Sequence, residues 1–342
     1  MDLLQELIIV SEKAANIARL CRQNHHLFNL LIQKKSEREA NSRFVEDFKT
    51  LADVLIQQLV QHDIGAKVIQ FPALKSSIFG EETNTFLNKL GDSITVEIKD
   101  TREATADLLR IVLNQDSQAA DLLAHEVHNE VLLLETRQNP SIEFTLGEEI
   151  GVWVDPIDST AEYINGIEET TNGITIRGLK CVTVLIGVFD KKTGLPVVGV
   201  INQPWGTCFW GHPLETNLPP TPPSTKTVCV SSSETPEVIT KLTENGYNLI
   251  EASGAGYKIL TVITGQADAY ILTKDTTFKW DTCGPQAILR ALGGDIVVYG
   301  DALINNSITS VTYTEKKVCN SGGIIAFRSV EILNELIRIL RL

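Results

Sequence analysis

Hydrophobic positions at the start of the chain recur at three- and four-residue intervals: Leu3, Leu7, Val10, Ala14, Ile17 and Cys21. That spacing puts them on one face and predicts an amphipathic helix over residues 2–24. A basic, polar turn follows at Gln33-Lys34-Lys35-Ser36-Glu37-Arg38. Phe44, Phe48, Leu51, Leu55 and Leu59 then form the apolar stripe of a second helix, with Asp53 off the middle of the stripe. Near Pro72 the helical pattern ends, and the chain runs through Ser76-Ser77-Ile78-Phe79-Gly80-Glu81-Glu82. Residues 102–113 and 117–137, rich in Ala, Leu and Glu, read as two more helices.

Beyond residue 150 the pattern becomes that of strands. Gly151-Val152-Trp153-Val154 leads into Asp155, and the β-branched segments 181–189 and 197–201 flank a turn at 191–196, as in a hairpin or meander. Strand 227–230, helix 236–244, helix 255–264, strand 268–272, helix 282–291 and strand 295–299 follow, with strand 322–327 and helix 329–341 at the end. Hairpins with interposed helices predict a layered α/β or α+β architecture, not a simple doubly wound sheet. The Pro-rich stretch 217–223 is the expected division of one compact unit, 1–342, into subdomains 1–215 and 224–342.

Composition narrows the function classes. A length of 342 residues suffices for a large core, and 43% hydrophobic with 21% charged residues argues for an ordered chain. The net charge of −13 excludes a general nucleic-acid binder. It leaves phosphate substrates open, because bound divalent cations reverse the sign of an acidic site. Six cysteines without a C-x-x-C read as intracellular free thiols. Acids near Met1 and a longest apolar run of only 182–189 predict no signal peptide and no membrane partner. The expectation is a soluble cytoplasmic protein for which no oligomer is required.

Four short acidic segments carry the candidate chemistry: Asp53, Gly80-Glu81-Glu82, Asp155-Pro156-Ile157-Asp158-Ser159-Thr160 and Trp280-Asp281. Singly they read as a solvated helix acid, a loop pair, a capped turn and an N-cap. The third is the most telling. Asp155 ends a β-run, where α/β sheets bind ligands. Pro156 stiffens a turn that brings Asp158 back beside Asp155 and points the Ile157 carbonyl the same way. Such close carboxylates raise one another's pKa unless a cation lies between them. An all-oxygen donor set suits Mg²⁺ and not zinc. Ser159-Thr160 then opens a short helical stretch whose N–H groups face an anion. Glu149, in a second Gly-Glu-Glu, lies six residues before Asp155 on an extended strand, about 20 Å away, and is assigned to the surface.

Asp155 to Thr160, with Phe79-Gly80-Glu81-Glu82 and Trp280-Asp281, resembles the lithium-sensitive, metal-dependent phosphatases related to inositol monophosphatase and fructose-1,6-bisphosphatase. Within that superfamily the branch acting on inositol polyphosphates is the better match. That match rests on Ser159 and on Cys181-Val182-Thr183-Val184-Leu185-Ile186-Gly187-Val188, Gly199-Val200-Ile201-Asn202-Gln203-Pro204, Gly254-Ala255-Gly256-Tyr257-Lys258 and Asp275-Thr276-Thr277-Phe278-Lys279-Trp280-Asp281. The resemblance implies a layered αβαβα sandwich of the sugar-phosphatase type. It implies two or three Mg²⁺ ions held by Glu81, Asp155, the Ile157 carbonyl, Asp158 and Asp281, with Asp53 close to them. Asp53 and Thr160 would position and deprotonate the attacking water, with Glu82 as support, and Li⁺ would inhibit.

The implied reaction removes the 1-phosphate from inositol 1,4-bisphosphate and inositol 1,3,4-trisphosphate by in-line attack of a metal-activated water. Substrate contacts would come from Asp158, Ser159, Thr160, Ser231, Ser233, Gly254, Ala255, Lys258, Thr276 and Thr277. A 3′-phosphoadenosine 5′-phosphate phosphatase and a phosphate-binding pseudoenzyme on the same scaffold stay as alternatives. Intact acids and Thr160 argue against the pseudoenzyme.

Overall fold

Leu3–Gln23 forms the first helix, burying Leu3, Leu7, Val10, Ala14, Ile17 and Cys21 of the predicted stripe together with Leu4 beside it. The structure, a computed structural model, describes residues 3–35, 48–67, 74–88, 91–131, 149–219, 223–314 and 317–341. Ser36, Glu37, Arg38, Phe44, Pro72, residues 132–137, Gly147, Glu148 and part of the Pro-rich stretch, 220–222, lie outside the described residues.

Among the described residues, six strands form the first sheet, in the order Glu215–Thr216, Cys208–His212, Pro196–Asn202, Thr183–Asp190, Ile150–Asp158, Ile78–Gly80. Its pairs are antiparallel except the last, which is parallel. The described strands of the second sheet stand in the order Asn248–Glu251, Thr227–Val230, Ala269–Leu272, Ile324–Phe327, Asp295–Val298. Its first three are parallel, and Ile324–Phe327 runs antiparallel to both neighbours.

Helices Leu3–Gln23 and Leu51–Lys67 cover one face of the first sheet, and helices Ala255–Ile263 and Lys279–Ala291 lie between the two sheets. Helices Pro236–Glu244 and Val330–Arg341 cover the far face of the second sheet. The result is the expected αβαβα stack of mixed α and β elements. Three apolar clusters fill its interlayer spaces. Each fully buried Leu, Ile or Val there contributes roughly 1.5–3 kcal/mol. Among the described residues no helix is long and apolar enough to cross a membrane.

The middle layer sits unusually close to the first sheet. Gly199 pairs with Gly187 on one side and Gly211 on the other, so the three glycines form a row across adjacent strands. A Cβ added at Gly199 would lie 2.0 Å from the Gly284 carbonyl oxygen, and one at Gly187 would lie 2.3 Å from the Gly284 nitrogen. Helix Lys279–Ala291 therefore meets the sheet backbone to backbone, and its first turn carries Asp281.

Among the element boundaries that differ from expectation, three bear on the site and its surroundings. Phe48 belongs to a strand, Phe48–Thr50, paired with Ile32–Lys34, and the second helix begins only at Leu51. The helix expected over 117–137 ends at His128. The helix expected from residue 282 begins at Lys279, which puts Asp281 inside its first turn instead of at its cap.

Candidate metal and catalytic centre

The strand Ile150–Asp158 carries two of the candidate ligands, and a bulge in place of the expected turn brings them together. Asp155 pairs with Leu185 and Asp158 with Thr183, so three steps on one strand pass two on its neighbour. Residues three apart on a regular strand face opposite sides of the sheet. The extra residue cancels that half-turn and lets both carboxylates face the middle layer.

Asp155, Asp158 and Asp281 each offer a carboxylate oxygen, the three oxygens lying within 4.8 Å of one another, and all three residues are buried. Burial first, then the Glu81, Asp158 and Asp281 charges, hold the Asp155 carboxyl well above its ordinary pKa. Asp281 is raised likewise by burial and by Asp158. Asp155 Oδ1 is buried without a hydrogen-bond partner. A buried orphan oxygen inside a group of mutually repelling carboxylates is what a hard cation satisfies. Mg²⁺ therefore fits the residues present.

Aromatic side chains near Asp155, Glu81 and Asp281 in sequence help fix this convergence. Trp153, two residues before Asp155, lies 5.1 Å from Phe79, two residues before Glu81, and 6.1 Å from Trp280, next to Asp281. Phe278 stacks on Trp280 at 4.7 Å, and its backbone N–H donates to Asp281 Oδ2 at 2.6 Å. The ring cluster thus ties together three elements that are distant in sequence. Such pairs add roughly 0.5–1.5 kcal/mol each beyond their buried area.

Asp53 is fully buried in the first turn of its helix, not solvated on its surface. Thr50 caps that turn: its N–H and its hydroxyl donate to Asp53 Oδ2 at 2.7 and 2.5 Å, and Asp53 N donates back to Thr50 Oγ1 at 3.4 Å. Burial pushes the Asp53 carboxyl up to about 6 against the lowering effect of the Thr50 bonds and Lys35. Asp53 Oδ1 remains free to accept from the Thr160 hydroxyl at 3.5 Å. That hydroxyl also lies 3.2 Å from the Ile157 carbonyl oxygen.

Glu81 and Glu82 are held by Lys35, from the basic, polar stretch that follows the first helix. Lys35 Nζ lies 2.6 Å from Glu81 Oε1 and 2.7 Å from Glu82 Oε1, with only 3% of its side chain exposed. Burial works against the Lys35 charge, but Glu81 and Glu82 outweigh it and raise its pKa above the usual lysine value. Glu82 is itself pushed up to about 8 by burial and by Glu81. Glu149 is exposed, as expected.

The profile of the Inositol monophosphatase family matches residues 85–338. Mouse inositol polyphosphate 1-phosphatase is 42% identical to this chain, over 96% of this chain and 94% of its own. The human protein of the same name is 41% identical, over 99% and 97%. The chain belongs to the inositol monophosphatase family. It is a phosphatase. The crystal structure of extragenic suppressor protein suhB from Bartonella henselae shares the fold, with a TM-score of 0.58 at 13% identity over 98% of this chain and 97% of that one.

In this inositol monophosphatase family member the remaining predicted positions lie around Asp158 and the loop before Asp281. The N–H groups of Ala255 and Gly256 donate to Asp158 at 3.3 and 2.9 Å, and Thr183 Oγ1 donates to Asp158 at 3.3 Å. A Cβ at Gly254 would lie 2.8 Å from Asp158 Oδ2, so glycine permits that approach. The Lys258 side chain is buried, its Nζ donating to the Ala252 carbonyl at 3.0 Å, and its charge acts on Asp158. Ser159 has a left-handed backbone, φ 73°, uncommon for a residue with a side chain.

Ser231 and Ser233 hydroxyls lie 3.0 Å apart. Glu234 next to them accepts from Thr235 N, Thr273 N and Thr273 Oγ1, which joins this turn to the loop before Asp281. Thr277 Oγ1 accepts from Asn320 Nδ2 at 3.3 Å, and Thr276 Oγ1 is buried without a hydrogen-bond partner. Lys35 and Asn320 carried no signal in sequence, since each acts through partners at least 38 residues away.

Proposed function

We propose that this protein is a Mg²⁺-dependent, Li⁺-inhibited phosphomonoesterase that removes the 1-phosphate from inositol 1,4-bisphosphate and inositol 1,3,4-trisphosphate. The observation that carries the substrate reading is 42% identity with mouse inositol polyphosphate 1-phosphatase across nearly the whole of both chains. The orphaned Asp155 oxygen and its all-carboxylate surroundings support the metal reading. Glu81, Asp155, the Ile157 carbonyl, Asp158 and Asp281 would hold the ions. When bound, Mg²⁺ offsets charge on the phosphoryl oxygens and makes nearby water more acidic.

The protein's own groups do the rest. Thr160 gives its hydroxyl proton to Asp53 Oδ1 in a hydrogen bond, which leaves the threonine oxygen able to accept one from water. Asp53, at about 6, is ionised near neutrality and still basic enough to draw a proton through that relay. Water so oriented attacks phosphorus in line, without a phosphoenzyme, as the bond from phosphorus to the inositol 1-oxygen breaks and that oxygen takes a proton from solvent to leave as the alcohol. Lys35 balances Glu81 and Glu82 and keeps their loop against the site. Ser159, Ser231, Ser233 and Thr276 would offer hydroxyls to the ring and the retained phosphate, beside the backbone at Gly254 and Ala255 and the side chain of Thr277. Lys258 supports them from beneath, through Asp158.

Phosphate release from inositol 1,4-bisphosphate, inositol 1-phosphate and 3′-phosphoadenosine 5′-phosphate, with and without Mg²⁺ and Li⁺, tests this. The expected result is Mg²⁺-dependent, Li⁺-sensitive release with the bisphosphorylated inositol preferred. Preference for the nucleotide, or undiminished release in a chelator, would overturn it.

A further inference from the structure

We infer that Gln57 is the positioning residue that sets the Glu81–Glu82 loop against the Asp53 helix, and that Gly80 is a glycine to make room for it. The inference rests on the metal reading above. Gln57 lies one turn after Asp53, so both face the same side of helix Leu51–Lys67. Its side chain is 3% exposed. Its Nε2 donates to the Glu82 carbonyl, and Glu82 N donates to Gln57 Oε1 at 2.9 Å. A carboxamide presents the same donor and acceptor pair as a peptide group. Gln57 therefore meets residue 82 as one more rung of a β-ladder.

That rung is needed because the strand ends too early. Ile78–Gly80 pairs with Val152–Val154, and past Gly80 the Glu81 N–H to Val154 carbonyl bond, 3.2 Å, is the last link to the neighbouring strand among the described residues. Glu81 and Glu82 then stand in a bend beside Asp155, whose charge Glu81 repels. Lys35 offsets that repulsion at the two side chains, and the Gln57 amide holds the backbone of the loop against the Asp53 helix. The close approach also accounts for Gly80, where an added Cβ would lie 2.0 Å from Gln57 Oε1. One amide thereby fixes the spacing between Asp53, which handles the proton, and Glu81, which would hold the ion.

Mn²⁺ binding to the full chain, read by electron paramagnetic resonance, tests this independently of turnover. Gln57→Ala is expected to weaken Mn²⁺ binding about 10- to 100-fold, as loss of a ligand's support does elsewhere. The KM for inositol 1,4-bisphosphate at saturating Mg²⁺ is expected to stay within about three-fold. Gly80→Ala, which must push the amide aside, should weaken binding similarly, and the double variant should fall short of the product of the two losses. Wild-type Mn²⁺ affinity in both single variants overturns the Gln57 role, as does a change confined to melting temperature. Wild-type protein that takes up no Mn²⁺ overturns the metal reading and the Gln57 role with it.

Discussion

Asp53 and Thr160 stand 107 residues apart in the chain and 3.5 Å apart in space, and the geometry makes each useful to the other. Thr50 occupies one Asp53 oxygen and leaves the second for Thr160. Burial makes that second oxygen basic enough for proton transfer near neutral pH. Removing the hydroxyl leaves the charges of the site in place and takes away only the proposed link to water. Thr160→Ala is therefore expected to lower kcat about 10²- to 10⁴-fold, with KM changed no more than about three-fold. Steady-state kinetics on inositol 1,4-bisphosphate checks this. A loss confined to KM would mean that Thr160 binds phosphate without orienting the nucleophile.

At the scale of elements, the position of Asp281 is set by the row Gly187, Gly199 and Gly211 beneath its helix. Gly199→Ala puts a methyl group against the Gly284 carbonyl, and backbone cannot rotate away as a side chain would. The helix must lift, at a cost of roughly 1–3 kcal/mol, and carry Asp281 away from Asp155. Urea unfolding should show that loss and phosphate release should fall with it; a variant as stable and as active as wild type would remove the glycine row from the account. The Gly-containing segments 181–188 and 199–204 were visible in the sequence, but their register was not. Locally encoded elements were legible: Pro236–Glu244 has Thr235 as its cap and a proline at its start, and Leu3–Gln23 has its apolar stripe. Elements that depend on a distant partner were not. Phe48 fits a helical stripe until Ile32–Lys34 pairs with its segment. Asp155 and Asp158 fit a turn until Leu185 and Thr183 define a bulge. The Asp281 helix starts early because Phe278, no usual cap, is capped from within the turn by Asp281 itself. The acids of the site could be chosen from their motifs, whereas Lys35 and Gln57, which hold two of them, have no motif at all.

For the molecule as a whole, a net charge of −13 includes a buried cluster of acids whose repulsion opposes folding. Asp53 is raised to about 6, Glu82 to about 8, and Asp155, Asp158 and Asp281 are raised as well, burial being the first cause in each. A group whose pKa is higher folded than unfolded binds its proton more tightly in the folded state. Its contribution is fully present below the unfolded value and is lost as pH climbs through the folded one. The metal-free protein should thus lose stability as pH rises from about 4 to about 8, contrary to the usual carboxylate trend. A divalent cation replaces those protons and stabilises only the folded form. The rise in melting temperature on exchanging chelator for Mg²⁺ should therefore be small at about pH 5 and grow steadily towards about pH 8. Asp155→Asn, which relieves repulsion and removes a ligand together, should raise the melting temperature in chelator near pH 8 and shrink the Mg²⁺ increment. An increment that is flat across this range, or undiminished in Asp155→Asn, would mean that the ion binds somewhere other than among these carboxylates.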